Sequence, residues 1–271
     1  MYLKYRIHYS CISHVGRCRS MNQDNFICEG KYIDDQKKSL EFPLTGTLTS
    51  NQPSIIGVFD GLGGEECGEI ASFIAAKCAA ETTIGSDSLE SLLAFCKKAN
   101  GKICDYAAAH DVFSMGTTAA LLVFSSTEID LCNIGDSKVF HFADNKLEQI
   151  SKDHYAIAAY GSKPPLSQNL GISPSEMIIE PYAAKGSYND GDIYLICSDG
   201  LTDMVPEEEI RKIISENTLH ESTDRLLETA LKNGGKDNIT IILCRVERER
   251  QNLFDRIFRL IDTRFGVGCE E

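Results

Sequence analysis

Leu3, Tyr5, Ile7 and Tyr9 fall on alternate positions near the start of the chain, and this period of two predicts a half-buried strand over residues 2–9. A second strand is expected around Asn25–Cys28. Residues 30–53 are polar and rich in turn formers and read as a loop or hairpin excursion. The apolar run Ile55-Ile56-Gly57-Val58-Phe59 leads into an Asp-Gly, the signature of a buried strand ending in a turn. The period then changes. Ile70, Ala71, Ile74, Ala75, Cys78 and Ala79 recur at helical spacing within 65–83, and Leu89, Leu92, Leu93, Cys96, Ile103 and Ala107 do so within 88–110. Two successive amphipathic helices, each covering a sheet, are the expected result.

Short β-like runs return at 117–125, 128–134, 137–142 and 147–150, separated by turn residues. The stretch 152–191 has no clear period, and Asp192–Cys197 is a strand ending at another Asp-Gly. Residues 206–215 and 220–233 read as helices, with Pro206 close to the first helical position, and Asn238–Val246 as a closing strand. Strands, two helices, more strands, two helices and a strand do not alternate as a doubly wound fold requires. The order implies an α+β domain of antiparallel sheets with helices packed outside. No internal repeat and no domain boundary appears before residue 246. Beyond it, in 247–271, Leu253, Phe254, Ile257, Phe258, Ile261 and Phe265 give an amphipathic helical tail. Packing back on the domain is its expected role, with dimer or partner contact as the alternative. Its arginines are balanced by acids, which disfavours a membrane surface.

Charge and composition narrow the function. The chain of 271 residues carries a formal net charge of −13. It has no basic stripe, which argues against nucleic acid. No apolar run is long enough for a transmembrane segment, and Met1-Tyr2-Leu3-Lys4-Tyr5-Arg6 lacks the apolar region of a signal peptide. The 11 cysteines form no C-x-x-C pair, the 6 histidines form no H-x-x-x-H, and zinc-type spacing is therefore missing. Several cysteines lie inside apolar runs, as in Leu195-Ile196-Cys197, and read as buried thiols in a reducing cytoplasm.

Acidic turns are the candidate chemistry. Asp60-Gly61, Asp136-Ser137, Asp199-Gly200 and Asp237-Asn238 punctuate the strands, and the first three follow an apolar strand directly. An Asp-Gly is good turn chemistry in itself. Several carboxylates on rigid strand ends would also form an oxygen-rich pocket, where mutual repulsion favours a cation between them. Oxygen-only ligands suit Mg²⁺ or Mn²⁺. The pattern alone leaves both readings open. Gly61-Leu62-Gly63-Gly64-Glu65-Glu66-Cys67-Gly68 follows a strand and opens a helix, but it fails both nucleotide-loop spacings: Glu66 stands where a dinucleotide fingerprint needs glycine, and Glu69-Ile70 stands where a P-loop needs Lys-Ser/Thr. Its acids would repel a bare phosphate.

These motifs together resemble the metal-dependent (PPM) serine/threonine protein phosphatases, the protein phosphatase 2C family, and their bacterial branch most closely. The matches run in the family's order from about residue 5 to 246. Gly16-Arg17-Cys18-Arg19-Ser20-Met21-Asn22-Gln23-Asp24 is similar to the G-x-x-R-x-x-N-[EQ]-D opening, and Val58-Phe59-Asp60-Gly61-Leu62-Gly63-Gly64 to V-x-D-G-x-G-G. Met115-Gly116-Thr117-Thr118, Gly135-Asp136-Ser137, Ser151-Lys152-Asp153-His154, Ser198-Asp199-Gly200-Leu201-Thr202-Asp203 and Asp237-Asn238-Ile239-Thr240 follow. The resemblance implies a four-layer αββα sandwich of two mainly antiparallel sheets flanked by helix pairs, with a catalytic domain over 1–246.

It also implies roles. Asp60 would bridge two Mn²⁺ or Mg²⁺ ions with the Gly61 carbonyl on one of them. Asp199 and Asp237 would complete the other, and Asp24 would act through bound water. Asp136, Asp199 and Asp203 match positions that hold a more labile third ion in some members. Arg19 would grip the substrate phosphate, a task suited to a forked guanidinium. A metal-bridged hydroxide would then attack the phosphorus of a phosphoserine or phosphothreonine without a phosphoenzyme. Partners would be phosphorylated proteins and a cognate Ser/Thr kinase. Two alternatives share the motif set: a non-catalytic relative that binds phosphoproteins or a kinase, and a hydrolase of small phosphate esters. The chain departs from the family at Gln23, where eukaryotic members often have Glu, and at Leu62, where many of them have a His proposed as general acid. Glu65 replaces a His frequent in bacterial members, and the segment between His154 and Gly191 is short for the mobile flap of that branch.

Overall fold

The computed structural model describes residues 5–34, 39–62, 67–126, 128–157 and 164–249. Its order of elements is β1 (Tyr5–His14), β2 (Asp24–Ile27), β3 (Leu44–Thr49), β4 (Ile55–Leu62), α1 (Gly68–Ala80), α2 (Ser88–Ala109), β5 (Gly116–Thr117), β6 (Ala119–Phe124), β7 (Glu128–Ile134), β8 (Lys138–Ala143), β9 (Lys146–Gln149), β10 (Tyr182–Ser187), β11 (Ile193–Cys197), α3 (Asp199–Thr202), α4 (Glu207–Glu216), α5 (Leu219–Lys232) and β12 (Ile239–Arg248). One sheet runs β3-β1-β12-β11-β8-β9 and the other β10-β7-β6-β4-β2, with β5 beside β4. The strand pairings of the described residues are antiparallel.

The layering follows from side-chain parity. In β6, Ala120, Leu122 and Phe124 face the space between the sheets, while Ala119, Leu121 and Val123 face α1 and α2. In β12, Ile242, Cys244 and Val246 enter the same inter-sheet core, and Ile239, Ile241 and Leu243 meet α4 and α5. Strands buried on both faces read as continuous apolar runs, as these do. The result is the expected α+β sandwich: helices, sheet, sheet, helices. Asp87 caps α2 by accepting from the Leu89 and Glu90 amides, and Thr218 with Glu221 forms a reciprocal capping box on α5.

Three elements depart from the sequence expectation. β3 lies within the polar stretch 30–53 and pairs with β1 at the sheet edge. β10 lies within the irregular stretch 152–191, and none of its six residues is buried. The one-turn α3 follows β11 directly. β12 continues through Arg248, so the first two residues assigned to the tail prolong the strand. The remainder of the expected tail helix, from Arg250, lies outside the described residues, as do Gly63, Gly64 and Glu65. Cys11, Cys28, Cys78, Cys96, Cys132, Cys197 and Cys244 are buried free thiols.

Candidate metal centre

Strand parity carries the acids inward. Asp60 continues the even positions of β4 after Ile56 and Val58, both of which lie in the inter-sheet core. Asp24 opens β2 opposite Asp60, as its direct register partner. On the other sheet, Ser198 follows Tyr194 and Ile196 on the inward parity of β11, and Thr240 precedes Ile242 on that of β12. The ends of both sheets thus meet over Asp24. Its Oδ2 accepts from the Ser198 hydroxyl at 2.7 Å and the Thr240 hydroxyl at 2.8 Å. Its Oδ1 is buried with no hydrogen-bond partner among the described residues.

The backbone of Asp60 is fixed from the neighbouring strand. Its N–H donates to Thr118 Oγ1 at 3.0 Å, and its carbonyl accepts from Thr118 N and Thr117 Oγ1 at 2.8 and 2.9 Å. The adjacent Gly61 N–H donates to the Gln23 carbonyl at 3.1 Å. Asp199 opens α3, one residue beyond Ser198 and two beyond the end of β11. Asp203 ends the same helix, exposed, and its amide donates to the Asp199 carbonyl. Asp136 is buried in the turn between β7 and β8. Asp237 precedes β12, where the loop bearing Arg19 comes close: Gly16 adopts φ +82°, and a Cβ there would lie 2.2 Å from the Asp237 carbonyl. Asn238 ties the two segments together, donating to the Val15 and Met21 carbonyls and accepting from the Gln23 amide. Arg19 Nη2 donates to Asp237 Oδ2 at 2.7 Å, with the guanidinium half exposed.

The electrostatics register how close these groups are. Burial, and then the charges of Asp24, Asp199, Asp136 and Asp237, push the Asp60 carboxyl well above the ordinary carboxylate range. Burial pushes Asp24 up to about 7 against the pull of Ser198 and Thr240, with Asp199 and Asp237 adding to the rise. The hydrogen bond to Asp237 raises the pKa of Arg19, helped by the charges of Asp237, Asp60 and Asp199. Among the described residues no group of three His, Cys, Asp or Glu side chains is arranged to hold an ion by itself. The acids are gathered at one end of the sandwich without converging on a point. Even so, the donors suit a hard divalent cation: they are all oxygen, their charges add to the rise of the buried Asp60 and Asp24 carboxyls, and Asp24 Oδ1 lacks a partner among the described residues.

The structure brings Asp24, Asp60, Asp136, Asp199 and Asp237 into one electrostatic cluster with Arg19 at its edge. Sequence reasoning assigned nothing to Ser198 and Thr240, although both stand inside quoted motifs. Their only signal is a hydroxyl on the inward parity of an otherwise apolar strand.

The chain is thus an αββα sandwich with an acidic cluster at its sheet ends and an arginine beside it. Comparison with known proteins makes this specific. Residues 44–243 match the sequence profile of the family described as Protein phosphatase 2C. The chain belongs to the protein phosphatase 2C family. It is 31% identical over 254 residues to the serine/threonine phosphatase stp of Listeria monocytogenes, covering 86% of this chain and 93% of that protein. It is 31% identical over 206 residues to the serine/threonine protein phosphatase PstP of Mycobacterium tuberculosis, covering 71% of this chain but only 40% of PstP. The crystal structure of the PstP catalytic domain in complex with two manganese ions superposes with a TM-score of 0.74 at 26% identity, over 90% of this chain and 99% of that one. No helix of the described residues is long and apolar enough to cross a membrane.

Proposed function

We propose that the chain is a metal-dependent protein serine/threonine phosphatase whose catalytic unit is residues 1–246. The observation that carries this reading is the cluster of carboxylates around the buried Asp60, whose charges add to the rise of its carboxyl, with Arg19 alongside. Asp60, Asp199 and Asp237, with the Gly61 carbonyl, would hold two divalent ions, Mn²⁺ or Mg²⁺. Asp136 and Asp203 would hold a third. Such ions supply a hydroxide equivalent at neutral pH and neutralise charge on the phosphoryl oxygens. Asp24, fixed by two hydroxyls, would orient solvent beside them. Arg19 is anchored through one donor on Asp237, and its remaining donors would grip the phosphate oxygens and orient the phosphorus. The threonine and backbone bonds fix the main chain of Asp60, so its carboxylate is carried on a rigid strand end before substrate arrives, which favours the charge-rich transition state. Leu62, the last residue of β4, stands where many eukaryotic members have a His proposed as general acid, so the leaving serine or threonine oxygen would take its proton from water or depart without an acid.

Substrates would be phosphoserine and phosphothreonine in proteins, with a cognate Ser/Thr kinase writing the modification and the cytoplasm as the compartment. The names of the relatives support this reading, as does the presence of the full acid set, whose loss a non-catalytic relative would be expected to show. The test is hydrolysis of a phosphothreonine peptide and of an aryl phosphate with Mn²⁺, then with chelator. Both should be hydrolysed, and chelator or Asp60→Asn should stop both. Activity that survives either treatment would defeat the metal reading, and failure on the peptide alone would defeat the protein-substrate reading.

A further inference from the structure

Two loops from distant parts of the chain are joined beside Arg19. The Arg17 amide donates to the Gly235 carbonyl at 2.7 Å, the Cys18 thiol lies 3.9 Å from the Gly234 carbonyl, and Arg19 meets Asp237 at the next step. The loops approach this closely because Gly234 and Gly235 carry no side chain. A Cβ on Gly235 would lie 3.2 Å from Arg17 Cγ, and one on Gly234 would lie 3.6 Å from Lys236 Cγ. The stems of Arg17 and Lys236 therefore rest against the same two-residue turn, and both residues are exposed. Arg19 is paired with Asp237, whereas Arg17 and Lys236 form no ion pair among the described residues. Two cations thus stand together on a chain whose net charge is −13.

We propose that Arg17 and Lys236 read the sequence around the phosphorylated residue, favouring sites with acidic side chains two or three positions away. The inference rests on the reading of the chain as a protein phosphatase with the substrate phosphate at Arg19. Arg17 is two positions from Arg19, and Lys236 adjoins Asp237. Consecutive Cα atoms are about 3.8 Å apart, so the backbone places both cations within about 8 Å of that pair. An extended peptide advances about 3.3 Å per residue, so a side chain two or three residues from the phosphate is displaced by about 7–10 Å, the same scale. The molecule as a whole is acidic and repels an acidic peptide, so a preference of this sign has to come from local cations. Each contact is an exposed ion pair, weak and screened by salt, with an effect of about threefold alone and about tenfold for the two together at low salt. It lies away from the phosphorus and is the same before and during the reaction, so it acts on KM and leaves kcat unchanged.

The experiment measures kcat and KM of the full chain with Mn²⁺ on three phosphothreonine peptides, which carry Glu, Ala or Lys at the second and third positions on both sides of the phosphorylated residue. An aryl phosphate, which has no flanking residues, is the control. The wild type should use the Glu peptide about tenfold better than the Ala peptide, through KM, and the margin should shrink in about 0.5 M salt. Arg17→Ala with Lys236→Ala should lose the margin and keep the aryl phosphate rate and the melting temperature. Arg17→Glu with Lys236→Glu should turn the preference toward the Lys peptide. A wild type that does not favour the Glu peptide, or a margin that survives in the double alanine variant, would overturn the inference. So would an equal loss on the aryl phosphate, since that marks damage to Arg19 or the acidic centre and not a lost reading of the flanks. If the wild type hydrolyses none of the four substrates, the phosphatase reading itself fails, a result distinct from equal use of the three peptides.

Discussion

In chelator, raising the pH should destabilise this protein, and one buried carboxylate sets the size of the effect. Asp24 is 3% exposed. Burial lifts its carboxyl from an ordinary 3.8 to about 7 in the folded state. A proton held more tightly in the folded than in the unfolded chain favours folding at low pH. That contribution is whole below the unfolded value and is lost as the pH rises through the folded one. The full gap corresponds to about 4 kcal/mol, of which about 2 kcal/mol disappears between about pH 5.5 and pH 8. For a chain of this size the melting temperature should fall by about 4–8 °C over that range. Asp60 adds in the same direction, because burial and then the neighbouring acids hold its carboxyl up as well. The assay is a series of thermal melts in chelator, with Asp24→Asn as the comparison. Asparagine keeps an acceptor for Ser198 and Thr240 but cannot titrate, and it relieves Asp60, so the difference between the two slopes isolates the site. Equal slopes, or a wild type that gains stability on the way to pH 8, would refute the reasoning. Adding Mn²⁺ at pH 8 should restore the lost stability in the wild type.

Other outcomes follow from the same geometry. Arg19→Ala should lower kcat/KM on a phosphothreonine peptide about 100-fold with little change in melting temperature, because its ion pair with Asp237 is half exposed; a large thermal shift in steady melts would show that the pair is structural. Gly200→Ala places a Cβ 1.9 Å from the Asn238 carbonyl, so the start of α3 must shift away from Asp237, and activity should drop more than 10-fold with a stability loss of about 1–3 kcal/mol, read by kinetics and by denaturant melts. Thr218→Ala removes the capping box of α5, remote from the acids, and should cost about 1 kcal/mol in a urea titration while leaving peptide hydrolysis unchanged.

The strands that hold the site were readable because both their faces are apolar: β4, β6, β11 and β12 show as continuous runs whichever way they face. β3 and β10 were not, because each is an edge strand held by backbone bonds to one neighbour and needs few buried side chains. Leu48 is the only buried residue of β3. The acids were legible as turns and, through the ordered motifs, as a set. Their geometry was not. Arg19 and Asp237 stand 218 positions apart, and Ser198 and Thr240 reach Asp24 across 174 and 216 positions, separations over which no local pattern carries information. The bond between the Arg17 amide and the Gly235 carbonyl likewise joins two loops that a linear reading leaves apart.

The position of β12 bears on how the chain comes to life. It lies in the middle of its sheet, between β1 and β11, although it is the last strand of the described chain. Until it emerges during synthesis, β1 and β11 have no partner along those edges, Asp24 lacks the Thr240 hydroxyl, and Arg19 has no Asp237 to meet. A ribosome-bound chain that ends before residue 237 therefore carries two open sheet edges and no complete acidic centre. Hydrolytic activity therefore waits until β12 has been made, and until then the two bare edges are open to pairing with any other strand that comes near.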